Sequence, residues 1–520
     1  MSMRLLVDLT TDMVRELAVA EKVCVRPLLR RVLDRETGIE ETVPIPCGST
    51  LESVCPSCAH KARVLRMQQC AEGWHLGTEP EDHESEDDQE IGDHGQADED
   101  DHGEEDRDGD SDRRVRSTRR RSDAADLPRV AAEDRTIGRT FTSLDGHEYR
   151  PSMFLTLTLP SYGAICAGAP VDPESYDYRR AAMDALLFPR LVDRFWQNLR
   201  RCAGYKVQYF AAVEPQHRLA PHLHAAIRGA IPRQLLRQVI RATYVQVWWP
   251  RFDRPVFVQR VPMWDGTGYA DPDTGEVLPT WEEAVDGLAN DPDARPAHVM
   301  RFGTQADIRG IIAPSEEADR AIRYLTKYLT KAIAEPLTTD PDEDDPVDER
   351  RDAHIDRLHA ELRWLPCSEH CANWLRYGIQ PKNPTPGMQA GHCPSKAHDR
   401  EHLGVGGRRV LVSRHWSGKT LAEHKADRAT VVREALHAAG IVPPEVERLA
   451  ADVTAQDGLP RFVWTDTRPS NAGEYRKIIF AAIEERRAWR EQYDAAKIIV
   501  APVGDHSAID HHSESDGPAP

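Results

Sequence analysis

Pro221-His222-Leu223-His224-Ala225-Ala226-Ile227 reads as a β-strand with His222 and His224 on one face and Leu223 on the other, because successive strand side chains point to opposite sides. The preceding run, Val207 to Glu214, is also apolar and is closed by Pro215. A short loop joins the two, which predicts a hairpin with Glu214 at the end of one strand beside His222 at the start of the next. Two imidazoles and one carboxylate on a single face form a facial ligand set for a divalent metal and leave positions open for substrate or water. A His-x-His pair alone serves as readily as ordinary hydrogen-bonded histidines, so the reading depends on what surrounds it.

Upstream, Phe154-Leu155-Thr156-Leu157-Thr158-Leu159 alternates with period two and stops at Pro160. It predicts a half-buried strand with Thr156 and Thr158 on one face. Downstream, Tyr324-Leu325-Thr326-Lys327-Tyr328-Leu329-Thr330-Lys331 lies within a helical pattern whose buried stripe is Ile322, Leu325, Leu329 and Ile333. Tyr324 is two residues past Ile322, about 200° around a helix. Tyr324 and Tyr328 therefore stack on the face away from the stripe, with Lys327 and Lys331 nearby. A phenol of pKa about 10 is a weak nucleophile near neutral pH. A neighbouring cation that lowers that pKa, and a metal that polarises the attacked phosphate, make it competent.

Taken in this order, the three motifs resemble those of the HUH endonuclease superfamily of rolling-circle replication initiators. The resemblance covers about residues 150–335, and the double tyrosine is similar to that of the two-tyrosine initiators. The chain as a whole resembles the replication initiators of actinobacterial plasmids and integrative elements. The implied fold is α+β: a central antiparallel sheet flanked by helices, the histidines on a central strand and the tyrosines on a helix facing them. The implied activity is nicking of one strand of origin DNA, single-stranded or hairpin, with a host helicase and polymerase as further partners. Tyr324 or Tyr328 attacks the scissile phosphate, leaving a 5′-phosphotyrosine link and a free 3′-OH primer. Mn²⁺ or Mg²⁺ on His222, His224 and Glu214 stabilises the phosphate charge, aided by Lys327 and Lys331. Other initiators of this broad group use one tyrosine and a glutamate that activates water at termination; Glu317, two helical turns before Tyr324, suits that role. Two other readings stay open, a two-tyrosine transposase of the same superfamily and a non-catalytic zinc-containing DNA-binding regulator.

The cysteines add metal chemistry of another kind. Clustered thiols in a chain expected to be intracellular predict metal binding before disulfides. Cys47, Cys55, Cys58 and Cys70 include a Cys-x2-Cys knuckle and suit tetrahedral structural Zn²⁺, with His60 or His75 as substitutes for one ligand. A second, less regular group contains Cys367, Cys371, Cys393 and His392, with His370, His398 and His402 close by. For it, zinc binding and cysteines in a buried core or loops with solvated histidines are equally consistent.

Charge and composition set the domain limits. The 520-residue chain has net charge −19, but 19 acidic groups and only one basic group fall between Glu79 and Asp112, so the remainder is almost neutral. A nucleic-acid ligand is therefore compatible with the acidic total. Arg outnumbers Lys by 56 to 11, which favours bidentate phosphate contacts and also fits a GC-rich genome. The reading gives a Cys-rich zinc module at 1–77, a disordered acidic then basic linker at 78–135, and the endonuclease domain at 136–335. An acidic linker at 336–350, a Cys/His-containing part at 351–425, a helical DNA-binding or accessory region at 426–503 and a disordered tail at 504–520 follow. The acidic insert reads as a solubilising linker or as a DNA mimic. Without a long apolar run, a cytoplasmic protein is expected.

Overall fold

The computed structural model describes residues 10–80, 126–138, 140–146, 148–313, 315–327, 329–330, 346–406, 409–438, 453–455 and 457–500. Residues 81–112 of the acidic insert, the Arg113–Arg121 cluster, Tyr328, Lys331 and Ile333 lie outside these residues, whereas Glu79 at the start of the insert accepts from the Thr136 and Ile137 N–H groups. The chain divides into two compact units, one from the described parts of 1–49, 54–61 and 421–520, the other from those of 50–53 and 62–420.

The smaller unit contains α1 (Thr11–Ala20), β1 (Leu28–Asp34), β2 (Glu40–Ile45) and the first residues of α2 (Pro56–His75). Two strands alone are marginal in water. The third comes from the far end of the chain: a strand over Phe462–Thr467 pairs antiparallel with β1, placing Leu29 opposite Thr467 and Asp34 opposite Phe462. This departs from the expected separation of residues 1–77 from 426–503. The long C-terminal helix, Ala472–Val500, supplies Ile479, Phe480 and Ile483 to a core shared with Val14, Ala18 and Val25 of the N-terminal segment. Arg461 closes the pairing with two hydrogen bonds to Asp34, at 3.0 and 2.8 Å.

The larger unit is built on a six-stranded antiparallel sheet. Its strands are β3 (Phe141–Thr142), β4 (Glu148–Leu157), β5 (Tyr209–Pro215), β6 (Pro221–Arg228), and two later ones, Ala306–Ala313 and Val410–Val412. With β7 (Tyr244–Val247) and β8 (His298–Arg301) forming a separate two-stranded pair, those two become β9 and β10. The order across the sheet is β9-β4-β6-β5-β10, with β3 added alongside β4. The β6 strand, predicted to be the second arm of the hairpin, is central and buried along its whole length.

Period-two alternation assigns the two faces. Leu155, Leu157, Ala211, Val213, Leu223 and Ala225 point into the main core, which α3 (Tyr178–Ala203) fills with Leu187, Leu191, Phe195 and Leu199. Asp177 caps α3 by accepting from the Arg180 N–H, and Gly204 ends it at φ +74°. Phe154, Phe210, Ala212 and Ala226 point to the opposite face. There α5 (Glu316–Lys327), which follows α4 (Arg233–Ala242), lays down Ala318, Ile322 and Leu325. Leu329 continues that buried stripe. The C-terminal part of α2 also closes this face, where Gly73 approaches Trp416 so closely that a Cβ would overlap the indole. The Trp74 indole N–H donates to Ser152 Oγ at 2.7 Å. Next in chain order, α6 (Pro346–Leu362) packs against α3. No helix among the described residues is long and apolar enough to cross a membrane.

Candidate active site

The β5–β6 hairpin places Glu214 directly opposite His222, and the β4–β6 pairing places Thr156 opposite His224. All four side chains lie on the face covered by α5, since Leu223 and Leu157 fill the other. Glu214, His222 and His224 are buried, and one ligand atom from each lies within 4.8 Å of the others. The two Nε2 atoms are 2.6 Å apart, and Glu214 Oε2 is 3.6 Å from His224 Nε2.

Thr156 Oγ1 is 2.9 Å from His224 Nδ1. A hydroxyl accepting from Nδ1–H leaves the Nε2 lone pair for the pocket, the tautomer a metal ligand needs. Burial pulls the pKa of His222 down to about 4 and that of His224 to about 3, so both imidazoles are neutral at physiological pH. Burial pushes the Glu214 carboxyl up to about 7, against the opposing pull of the Arg409 and Lys327 charges. Its Oε1 is buried with no hydrogen-bond partner among the described residues. An orphaned carboxylate oxygen beside two neutral imidazoles fits a divalent cation, which would satisfy the oxygen and neutralise the charge.

Tyr324 comes from α5. It is 41% exposed, yet its hydroxyl lies 3.1 Å from His224 Nε2. Phe154 holds the geometry: its ring stacks against His224 at 6.0 Å and meets Tyr324 edge-on at 6.1 Å. The phase derived from Ile322 puts Tyr324 off the helix's buried stripe, and its hydroxyl still reaches the sheet face that carries the two histidines. Lys327 is exposed at the end of α5, close enough for its charge to act on Glu214. Glu317 is exposed in the first turn of the same helix.

Arg409 was not singled out from the sequence. It is buried just before β10, its carbonyl accepts from Val213 N–H at 2.8 Å, and its charge acts on Glu214. The Gly-Arg-rich stretch from Gly404 to Ser413 signals a strand, but nothing local ties it to a residue nearly two hundred positions earlier.

The cysteine groups form with altered membership. In the smaller unit Cys24 joins Cys47, Cys55 and Cys58, all four sulfurs within 4.8 Å. Cys70 is elsewhere, fully buried in the core near Trp74 and Trp416. Cys58 and Cys70 both lie on α2, and twelve residues of helix separate them by about 18 Å, too far for one ion. His60 is exposed, and His75 faces Asp319 at 3.5 Å. In the larger unit Cys367, Cys371 and Cys393 gather with His398, while His392 is exposed and outside the group. His370 turns away to the Lys382 carbonyl at 2.9 Å, and His402 lies 3.9 Å from Asp399. Both groups could hold zinc.

These features define an α+β protein with a buried His–His–Glu set facing a tyrosine. The family described as "RepSA: Replication initiator protein, pSAM2" matches residues 10–485, and the chain belongs to that family. Among curated proteins it is similar to a replication initiator protein of Streptomyces ambofaciens, at 26% identity over 36% of this chain. The match spans 44% of that relative's length. No solved structure matches.

Proposed function

We propose that this protein is a cytoplasmic rolling-circle replication initiator of HUH type that nicks one strand of its origin DNA with Tyr324 as nucleophile. The observation that carries the reading is the Tyr324 hydroxyl 3.1 Å from Nε2 of His224 within the Glu214–His222–His224 set. Membership of a replication initiator family supports origin DNA as the substrate.

The side chains have separable tasks. His222, His224 and Glu214 would hold Mn²⁺ or Mg²⁺, which supplies positive charge to the phosphate oxygens. Thr156 fixes the His224 tautomer, and Phe154 orients both the imidazole and the phenol. As the Tyr324 oxygen bonds to phosphorus, its proton is lost to solvent. The phosphorus–3′-oxygen bond breaks and the departing 3′-oxygen takes a proton from solvent, giving a 5′-phosphotyrosine and a 3′-OH that primes synthesis. Lys327 supplies further charge at the reacting phosphate, a task assigned also to Lys331. Tyr328 is assigned the second strand transfer that closes the circle, with Glu317 as the alternative through activated water. Zn²⁺ on Cys24, Cys47, Cys55 and Cys58 would fold the small unit as a DNA-holding module. A host helicase and polymerase would extend the primer.

The test uses single-stranded DNA from the replicon that encodes the protein. Cleavage should require Mn²⁺ or Mg²⁺ and be abolished in His222→Ala and His224→Ala. Metal-independent cleavage, or specific duplex binding without any cleavage, would contradict the reading. The latter outcome would leave a zinc-containing DNA-binding protein.

A further inference from the structure

We propose that Cys367, Cys371, Cys393 and His398 form a closed structural zinc site that fixes the chain leading to Arg409 and the edge strand β10. Cys367 Sγ lies 3.8 Å from Cys393 Sγ, and Cys371 Sγ lies 3.6 Å from His398 Nε2. Zn–S bonds of about 2.3 Å and a Zn–N bond of about 2.05 Å at tetrahedral angles demand S···S separations of about 3.8 Å and S···N separations of about 3.6 Å. The same sulfurs are nearly twice as far apart as in a disulfide, which is about 2.05 Å.

The imidazole is set for the task. His398 Nδ1 lies 2.7 Å from the Leu362 carbonyl at the end of α6. A carbonyl only accepts, so Nδ1 carries the proton and Nε2 presents its lone pair to the three thiols. The spacing, Cys-x3-Cys followed by Cys-x4-His, places two ligands on each of two short segments, the second ending in a 3-10 turn over Lys396–His398, as structural zinc sites do. Four protein ligands fill a tetrahedron and leave no position for substrate. His392, one residue from Cys393, is exposed and has no part in the set.

One of the two segments leads into the core and the other towards the active-site edge of the sheet. Cys371 precedes a short 3-10 helix, Ala372–Tyr377, which drives fully buried Trp374 against Trp249 and Trp281. Beyond His398 the chain turns at Gly404, φ +86°, whose missing side chain lets it sit on Ala185 of α3. Farther along the sequence, the Arg409 charge acts on Glu214 and β10 pairs with β5. The ion therefore anchors the start of a segment whose other end borders the His–His–Glu set.

Zinc content of the full-length protein, purified without chelator, tests this by elemental analysis. Cys393→Ser and His398→Ala should each lower zinc by one equivalent per chain, and His392→Ala should leave it unchanged. The wild-type protein provides a test independent of variant folding. Cys367, Cys371 and Cys393 should resist alkylation until a chelator is added, and amide exchange at Val410–Val412 should then quicken at least tenfold. Unchanged zinc in both variants, a Cys367–Cys393 disulfide in the peptide map, or alkylation indifferent to chelator would overturn the site. Exchange at Val410–Val412 unmoved by chelation would overturn the anchoring role.

Discussion

Thr156 on β4 and His224 on β6 face each other across one strand pairing, with Oγ1 2.9 Å from Nδ1. Nε2 of the same ring faces Glu214 and Tyr324, and a hydroxyl that accepts from Nδ1–H leaves that nitrogen its lone pair. Thr156→Val keeps the shape and β-branching but removes the acceptor. Mn²⁺ affinity should fall about 10- to 100-fold, while stability changes by only about 1 kcal/mol. Titration of the two proteins with Mn²⁺, followed by electron paramagnetic resonance, measures it. Equal affinities would assign the tautomer to some other contact.

Gly73 makes a second prediction against local expectation. Ala is the better helix former by about 1 kcal/mol, and Gly73 is inside α2. A Cβ there would collide with the Trp416 ring and its backbone oxygen. That ring also stacks under Arg228, whose centre lies 5.2 Å away. Overpacking should outweigh propensity, so Gly73→Ala should destabilise the larger unit by about 1–3 kcal/mol. Chemical denaturation reads the sign directly, and a stabilised variant would refute the packing.

His354 on α6 predicts the acid response. It is buried, its Nδ1 is 2.8 Å from the Tyr178 hydroxyl, and Tyr176 packs edge-on at 5.0 Å. Burial lowers its pKa to about 4, whereas the unfolded chain takes up the proton near 6.5. The unfolded state therefore binds more protons between those values. The contribution is fully present above about pH 6.5 and is lost as pH falls toward 4, at no more than about 1.4 kcal/mol per pH unit. In metal-free protein His222 and His224 act in the same direction. His354→Gln keeps a polar partner for Tyr178 and should flatten the slope between pH 6.5 and 4. A slope equal to wild type would show that His354 does not titrate there.

Much of the site is legible in the sequence because it rests on two short periodicities. Alternation places His222 and His224 on one face, the hairpin brings in Glu214, and helical phase turns Tyr324 away from the Ile322–Leu325 stripe. What is illegible depends on contacts between distant segments. Cys24 is a lone thiol until the fold brings it to Cys47, and Phe462–Thr467 is a lone strand until it pairs with β1. Cys70 shows the opposite case: sequence distance suggests a fourth ligand, but the helical rise forbids it. His392 and His398 both follow or adjoin Cys393 in sequence, and the fold selects His398 by bringing its Nε2 to 3.6 Å from Cys371 Sγ and leaving His392 exposed.

The most direct measurement is the chemical identity of the DNA-linked residue. Protein incubated with Mn²⁺ and single-stranded DNA from its own replicon should give a denaturant-resistant adduct, and proteolysis should place the nucleotide on the peptide containing Tyr324. Tyr324→Phe should reduce first-strand adduct at least a hundredfold while the His222–His224 set still binds Mn²⁺. Full adduct from Tyr324→Phe, or a label mapped to any other residue, would contradict the assignment of Tyr324 as the nucleophile.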